Sequence, residues 1–85
     1  MNNPVIDNDG TKRWYHDGLL HRDDGPAVEY KDGEKSWYQN GTLHREDGPA
    51  LEWNNGLKRW YWNGVGYTRD EFILYQFSRG IMIDE

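Results

Sequence analysis

A 23-residue period constrains this chain more than any other feature. Residues 14–36 (WYHDGLLHRDDGPAVEYKDGEKS) and 37–59 (WYQNGTLHREDGPALEWNNGLKR) align without gaps and agree at 13 of 23 positions, among them Trp14/Trp37, Gly18/Gly41, Leu20/Leu43, His21/His44, Arg22/Arg45, Asp24/Asp47, Pro26/Pro49 and Glu29/Glu52. Such a period marks an array in which each unit is too small to bury its own apolar face and must lean on its neighbours. The register continues past both copies. Upstream, Val5, Gly10 and Lys12 match Val28, Gly33 and Lys35; downstream, Trp60, Tyr61, Asn63 and Gly64 restart the unit before Gly66, Tyr67, Thr68 and Arg69 break it. One domain over residues 1–85 follows, divided into a half-repeat (1–13), two repeats (14–36 and 37–59), a truncated repeat (60–67) and a C-terminal helix and tail (68–85).

A chain of 85 residues can bury only a little over ~60% of its unfolded surface, so its core must be thin. It has no cysteine and three histidines, so disulfides and Cys/His zinc sites are not expected, and no metal or other cofactor is implied. Five Trp, six Tyr and two Phe must supply the packing instead. A net charge of −5 argues against nucleic acid or anionic lipid as a partner, because both require a clustered positive surface. No apolar run reaches 18 residues and the opening residues MNNP are polar, so a soluble, cytoplasmic protein is expected.

Six of the eight Asx-Gly pairs, at 9–10, 17–18, 32–33, 40–41, 55–56 and 63–64, each read as a tight hairpin turn whose two central residues tolerate positive φ. The fold expected is therefore mainly β: an elongated antiparallel meander of stacked hairpin repeats with a capping helix. Strands are expected at residues 5–7, 12–15, 27–30 and 50–53. In the last two, period-two alternation assigns Val28 and Tyr30, and Leu51 and Trp53, to the core, and the Ala and Glu positions to the other face. Gly25 and Gly48 mark chain reversals, strained if their φ is positive. Thr68 to Glu71 have capping-box spacing, and Gly80 is placed to end the helix. Phe72, Ile73, Leu74, Tyr75 and Phe77 spread around that helix, which predicts burial on more than one side. Ile81, Met82 and Ile83 could pair with an edge strand.

The triplet His21, Arg22, Asp23 matches the catalytic loop of protein kinases. The second copy reads His44, Arg45, Glu46 and no phosphate-binding glycine loop accompanies either, so the triplet belongs to the repeat and no enzyme is expected. The structural reading has the imidazole donating to a carbonyl and Arg22 and Arg45 forked to Glu29 and Glu52, tying each unit to the next. The functional reading makes His21, Arg22, His44, Arg45, Glu29 and Glu52 a partner-binding row. Trp14, Trp37 and Trp60 share one register and read as core. Trp53 and Trp62 lie outside it and are candidate exposed anchors, since Trp is enriched at interface hot spots. The sequon at 40–42 is read as a turn.

The pattern Trp-Tyr-x-Asn-Gly-x-Leu-His-Arg-x-Asp-Gly-Pro-Ala, at 37–50 and nearly again at 14–27, resembles a repeat of small bacteriophage and giant-virus proteins and is similar in period and Tyr/Trp/Gly placement to the MORN repeat. The resemblance covers residues 3–65. The glycine-rich second half of an ordinary MORN unit is replaced here by His-Arg-x-Asp-Gly-Pro-Ala, so the lipid binding suggested for some MORN proteins does not carry over. It implies a non-enzymatic scaffold: a phage-type accessory or anti-defence inhibitor, anti-CRISPR proteins being one such class, docking on a host protein such as a defence nuclease or its complex in the host cytoplasm. A sponge for a signalling nucleotide, with Trp and Tyr stacking and Arg22 and Arg45 as phosphate forks, and a self-associating structural component are the alternatives.

Overall fold

The computed structural model describes residues 3–82. Antiparallel strands are arranged in two rows, with one helix at the end. The main sheet has the order β1 (Val5–Ile6), β2 (Lys12–Arg13), β5 (Val28–Glu29), β6 (Lys35–Ser36), β9 (Leu51–Glu52), β10 (Lys58–Trp62) and β11 (Val65–Tyr67). Two short hairpins, β3 (Tyr15–His16) with β4 (Leu19–Leu20) and β7 (Tyr38–Gln39) with β8 (Thr42–Leu43), stand beside it, and β10 runs on into the third hairpin with β11. The register sets Lys12, Glu29, Lys35, Glu52 and Lys58 side by side across the main sheet, alternating in charge. Opposite charges on facing strands favour that register over a slip by one residue.

The six Asx-Gly pairs form two kinds of turn rather than one. At 17–18, 40–41 and 63–64 both residues have positive φ (Asp17 51°, Asn40 51°, Asn63 47°, with their glycines at 78–82°), as a two-residue type I′ hairpin requires. At 9–10, 32–33 and 55–56 only the glycine does. There Gly10 N–H donates to Asp7 O and Asp7 N–H to Thr11 O, and the equivalent bonds recur at Tyr30 and Trp53. This is a type I turn closed by a glycine bulge, and the Asx side chain accepts from the backbone N–H two residues on (Thr11, Glu34, Leu57) instead of entering the left-handed region. Hence hairpin length alternates along the chain.

The strands are shorter than the alternation suggested, and the core does not follow its faces. Ala27 and Ala50 are fully buried while Tyr30 is 38% exposed, the reverse of the assignment above. Ala27 and Ala50 precede the strands and close each loop, their carbonyls accepting from the Trp14 and Trp37 N–H groups, whereas Tyr30 and Trp53 fall at turn ends. Val28 is buried as expected. Neither Gly25 nor Gly48 has positive φ, so no strained turn exists there. A Cβ on Gly25 would stand 3.1 Å from Arg22 Cζ, and the glycine makes room for the guanidinium.

The helix α1 (Arg69–Ser78) begins as read: Glu71 N–H donates to Thr68 Oγ1 and Thr68 N–H to Glu71 Oε1. It ends in a Schellman motif, with Ile81 N–H donating to Gln76 O and Gly80 N–H to Phe77 O. It is not buried on more than one side. Phe72 and Gln76, one turn apart, form the buried stripe, while Leu74, Tyr75 and Phe77 are exposed. The molecule is a slab only 18 Å thick along its shortest axis, so the helix has one surface to lie on and nothing above it. Ile81 and Met82 are not in a strand, and Ile83 lies outside the described residues.

Replacing Gly41, at φ 80° and against Leu19, by Ala is expected to cost about 1–2 kcal/mol. For a domain of this size that is a drop of roughly 4–8 °C per kcal/mol in a thermal melt followed by circular dichroism. An unchanged midpoint would show that the type I′ geometry is not holding the hairpin.

Candidate functional site

Each repeat sends a loop, residues 21–27 and 44–50, from the tip of its small hairpin back to the main sheet. Trp14 N–H donates to Ala27 O and His21 N–H to Trp14 O; Trp37, Ala50 and His44 repeat both bonds. The loop is therefore pinned at both ends to the tryptophan that opens its unit. Arg22 fills the space inside. Its guanidinium carbon lies 3.8 Å from the centre of a Trp14 ring, Nε donates to Asp24 Oδ1 (2.9 Å), and Nη1 donates to Pro26 O (3.2 Å) and Glu29 Oε2 (3.1 Å). Arg45 does the same over Trp37 with Asp47, Pro49 and Glu52, at 4.0, 3.0, 3.1 and 3.2 Å. The forks therefore close within a unit, not between units as expected.

The histidines join the units. Asn40 N–H donates to His21 Nδ1 and Asn63 N–H to His44 Nδ1, both at 3.0 Å. The ring accepts from the neighbouring turn, opposite to the expected direction, so its proton sits on Nε2, which in His21 faces Asp23 Oδ1 at 3.0 Å. Arg22 N–H to Tyr38 O and Arg45 N–H to Tyr61 O complete the junctions, and Gln39 Nε2 donates to Arg22 O. Burial holds the pKa of His44 below its ordinary value; Arg79 adds to this and Glu46 opposes it.

The third unit departs from this scheme. Thr68 stands where an arginine would be, so no guanidinium covers Trp60, whose Nε1 is buried without an acceptor. Trp60 thus does not share the environment of Trp14 and Trp37. The helix takes over part of the missing role: Gln76 Nε2 donates to Glu46 O (2.6 Å), as Gln39 does to Arg22 O, and Arg79 lies 4.2 Å from the Trp62 ring. Trp62 is held between Arg79 and His44 (4.5 Å), and Trp53 is half-buried with Arg59 5.8 Å from its ring, so neither indole projects as a free anchor.

Between the two loops runs an open groove of about 840 Å³, lined by Asp23, Asp24, Glu46 and Asp47 together with Arg22 and Arg45. The structure thus brings His21, Arg22 and Glu29 into one cluster and His44, Arg45 and Glu52 into the next, with the loop carboxylates beside them. Asp23 and Asp24 side chains are each 85% exposed. The sequence places Asp23 and Glu46 in the repeated triplets and Asp24 and Asp47 among the duplicated positions, but nothing in it marked these four acids as site residues. Gln76 and Arg79, outside the repeat, gave no signal. Among the described residues no group of three His, Cys, Asp or Glu could hold a metal ion, and no helix is long and apolar enough to cross a membrane. Comparisons with protein-family models, curated proteins and solved structures gave no match.

Arg45→Lys keeps the charge and loses the planar fork, so it is expected to destabilise the fold by on the order of 2 kcal/mol in a denaturant titration. His44 also links stability to pH. Its folded pKa is lowered, so the unfolded chain takes up the proton first: the contribution is fully present above the ordinary value of 6.5 and is lost as pH falls from there through the folded value. The melting midpoint should therefore fall more steeply below about pH 6.5 in the wild type than in His44→Gln, which can still accept from Asn63 and does not titrate. Parallel pH profiles would remove His44 as the cause.

Proposed function

We propose that this chain is a non-enzymatic, MORN-like repeat protein that acts as a protein-binding module: a phage-type accessory or anti-defence inhibitor that docks on a host protein through its loop face. The observation that carries this reading is the balance of charge along the groove. Four carboxylates, Asp23, Asp24, Glu46 and Asp47, line it against two guanidiniums, Arg22 and Arg45, and both guanidiniums are already engaged by indoles, carbonyls and carboxylates. A face built that way offers carboxylates, fixed in register by two equal loops, to a basic patch on a partner, and complementary potentials give such a contact its rate and specificity. A nucleotide would need those arginines as phosphate forks, and each already holds four groups.

The test is affinity capture from bacterial lysate with the wild type and with Asp23→Asn/Glu46→Gln, which leaves both Arg–Asp–Glu forks intact. A partner captured at stoichiometric yield is expected to be lost in the variant, and lost from the wild type in about 1 M salt, where the screening length is ~3 Å. The variant should melt close to the wild type. A partner that binds the variant equally well in high salt, or no stoichiometric partner at all, would overturn the proposal.

A further inference from the structure

The repeat register applies to the two ends of the chain as well as its middle. Residues 5–13 stand at the positions of 28–36 and 51–59, and residues 60–67 at those of 14–21 and 37–44. Among the described residues, the first strand pair thus corresponds to the closing part of a unit and the last hairpin to the opening part of another. Inside the chain, besides the histidine junctions described above, consecutive units meet in the main sheet and at the hairpin tips. In the main sheet, β2 takes β5 in the register Lys12↔Glu29 and Arg13↔Val28, and β6 takes β9 in the same register, Lys35↔Glu52 and Ser36↔Leu51. At the hairpin tips, Gly41 N–H donates to Leu20 O and Gly64 N–H to Leu43 O, both at 2.8 Å. Leu19 and Thr42 lie against the same two glycines, 3.4 and 3.0 Å from where a Cβ would stand.

Both halves of this junction are open at the ends. Among the described residues, the Lys58 and Arg59 part of β10 has β9 on one side and no strand on the other, and β1 is the opposite edge of the sheet, with Val5 55% and Ile6 60% exposed. Gly18 has no atom within 4 Å of its Cβ position, and Val65, which occupies the place of Leu19 and Thr42, is 54% exposed. The helix packs on β10 and β11 and reaches Trp62 of the last unit and Glu46 of the one before, while Lys58 and Arg59 stay exposed.

We infer that the C-terminal end of one copy receives the N-terminal end of a second. Carried on by one step, the register sets Ile6 of the second copy opposite Lys58 and its Val5 opposite Arg59. Its Gly18 receives Val65 and donates its N–H to the Gly66 carbonyl, the counterpart of the Leu20 and Leu43 carbonyls. Each copy supplies what the other's broken unit lacks, and the fit is specified twice within the chain itself, which is why the occupant is a second copy and not a foreign strand. The two surfaces differ, so the contact is head-to-tail and repeats into a ring or filament. A two-residue strand pair and one hairpin tip fall below the ~1,000 Å² of a standing interface, so association is weak and grows with concentration.

The absence of cysteine allows a clean cross-linking test. Ile6→Cys and Lys58→Cys proteins are mixed under mild oxidation, as are Val5→Cys and Arg59→Cys. Neighbouring antiparallel pairs alternate between wide and close Cα spacing, so one of the two mixtures has the close geometry. The expected product is the mixed dimer, in excess over either homodimer and over an Asp70→Cys surface control. Sedimentation equilibrium of the wild type should give a weight-average mass that climbs above 10.1 kDa with concentration. Val65→Lys should stay at the monomer mass with an unchanged fold by circular dichroism. Homodimers of Ile6→Cys alone at the mixed rate would show symmetric edge pairing instead, and a flat monomer mass with no mixed dimer would rule out self-association. Either result overturns the inference, and neither bears on capture of a host protein.

Discussion

A guanidinium laid over an indole and forked to a carboxylate is the contact on which the rest of this fold depends. Arg45 touches the tryptophan that opens its unit, the aspartate and carbonyl of its loop, and the glutamate of its return strand. One side chain thus joins three segments that are too short to pack against one another. In a slab 18 Å along its shortest axis, with few fully buried apolar side chains, the arginine's flat, polar-edged plate supplies packing over each indole. Lysine could supply the charge but not the plane or the divergent donors. The loop's composition follows from that need: a glycine where a Cβ would crowd Arg22, a proline whose carbonyl accepts from it, and a buried alanine that closes the loop.

Within a unit the arginine works alone; between units the histidine extends its effect. Its backbone N–H bonds to the tryptophan carbonyl on one side, and its ring accepts from the next turn on the other, so the position of one hairpin fixes the next. That chain of dependence must stop somewhere. It stops at Trp60, where the arginine is absent and an indole N–H is buried without an acceptor, a defect of about 1–3 kcal/mol in ordinary terms. The capping box, the Schellman motif and Gln76 belong to the helix that supports this last unit, which is why α1 is well terminated although little of it is buried.

Much of this was legible in the residues, and the rest was hidden for definite reasons. The period gave the array, and Thr68 with Glu71 gave the start of the helix, because both signals are local. The split between two turn types was not legible, since Asp32-Gly33 and Asn40-Gly41 differ only in the pairing that surrounds them. The face assignment failed at Ala27 and Tyr30 because the strand is only Val28–Glu29: Ala27 ends the loop and Tyr30 opens the turn, where alternation no longer applies. At the candidate site, the duplicated Arg22/Arg45 and Glu29/Glu52 suggested a fork. Its closure within the unit depends on a tryptophan eight residues earlier, and sequence spacing alone does not show that contact.

Composition understates how the charge is arranged. A net −5 with ten basic residues suggests a mixed surface, but Arg13, Arg22 and Arg45 are paired with acids inside the framework and Arg79 is held against Trp62 and Gln76. Of the four carboxylates along the groove, Asp24 and Asp47 are partners of those same arginines, and Asp23 and Glu46, beside the histidines, are the surplus. The excess of acid over base there is repeated at the spacing of the unit. A requirement of folding, arginine engaged to close each unit, thus leaves a groove in which carboxylates outnumber guanidiniums. An excess of one sign along a groove speeds encounter with an oppositely charged surface, so the packing that holds the repeat together also prepares the face it presents.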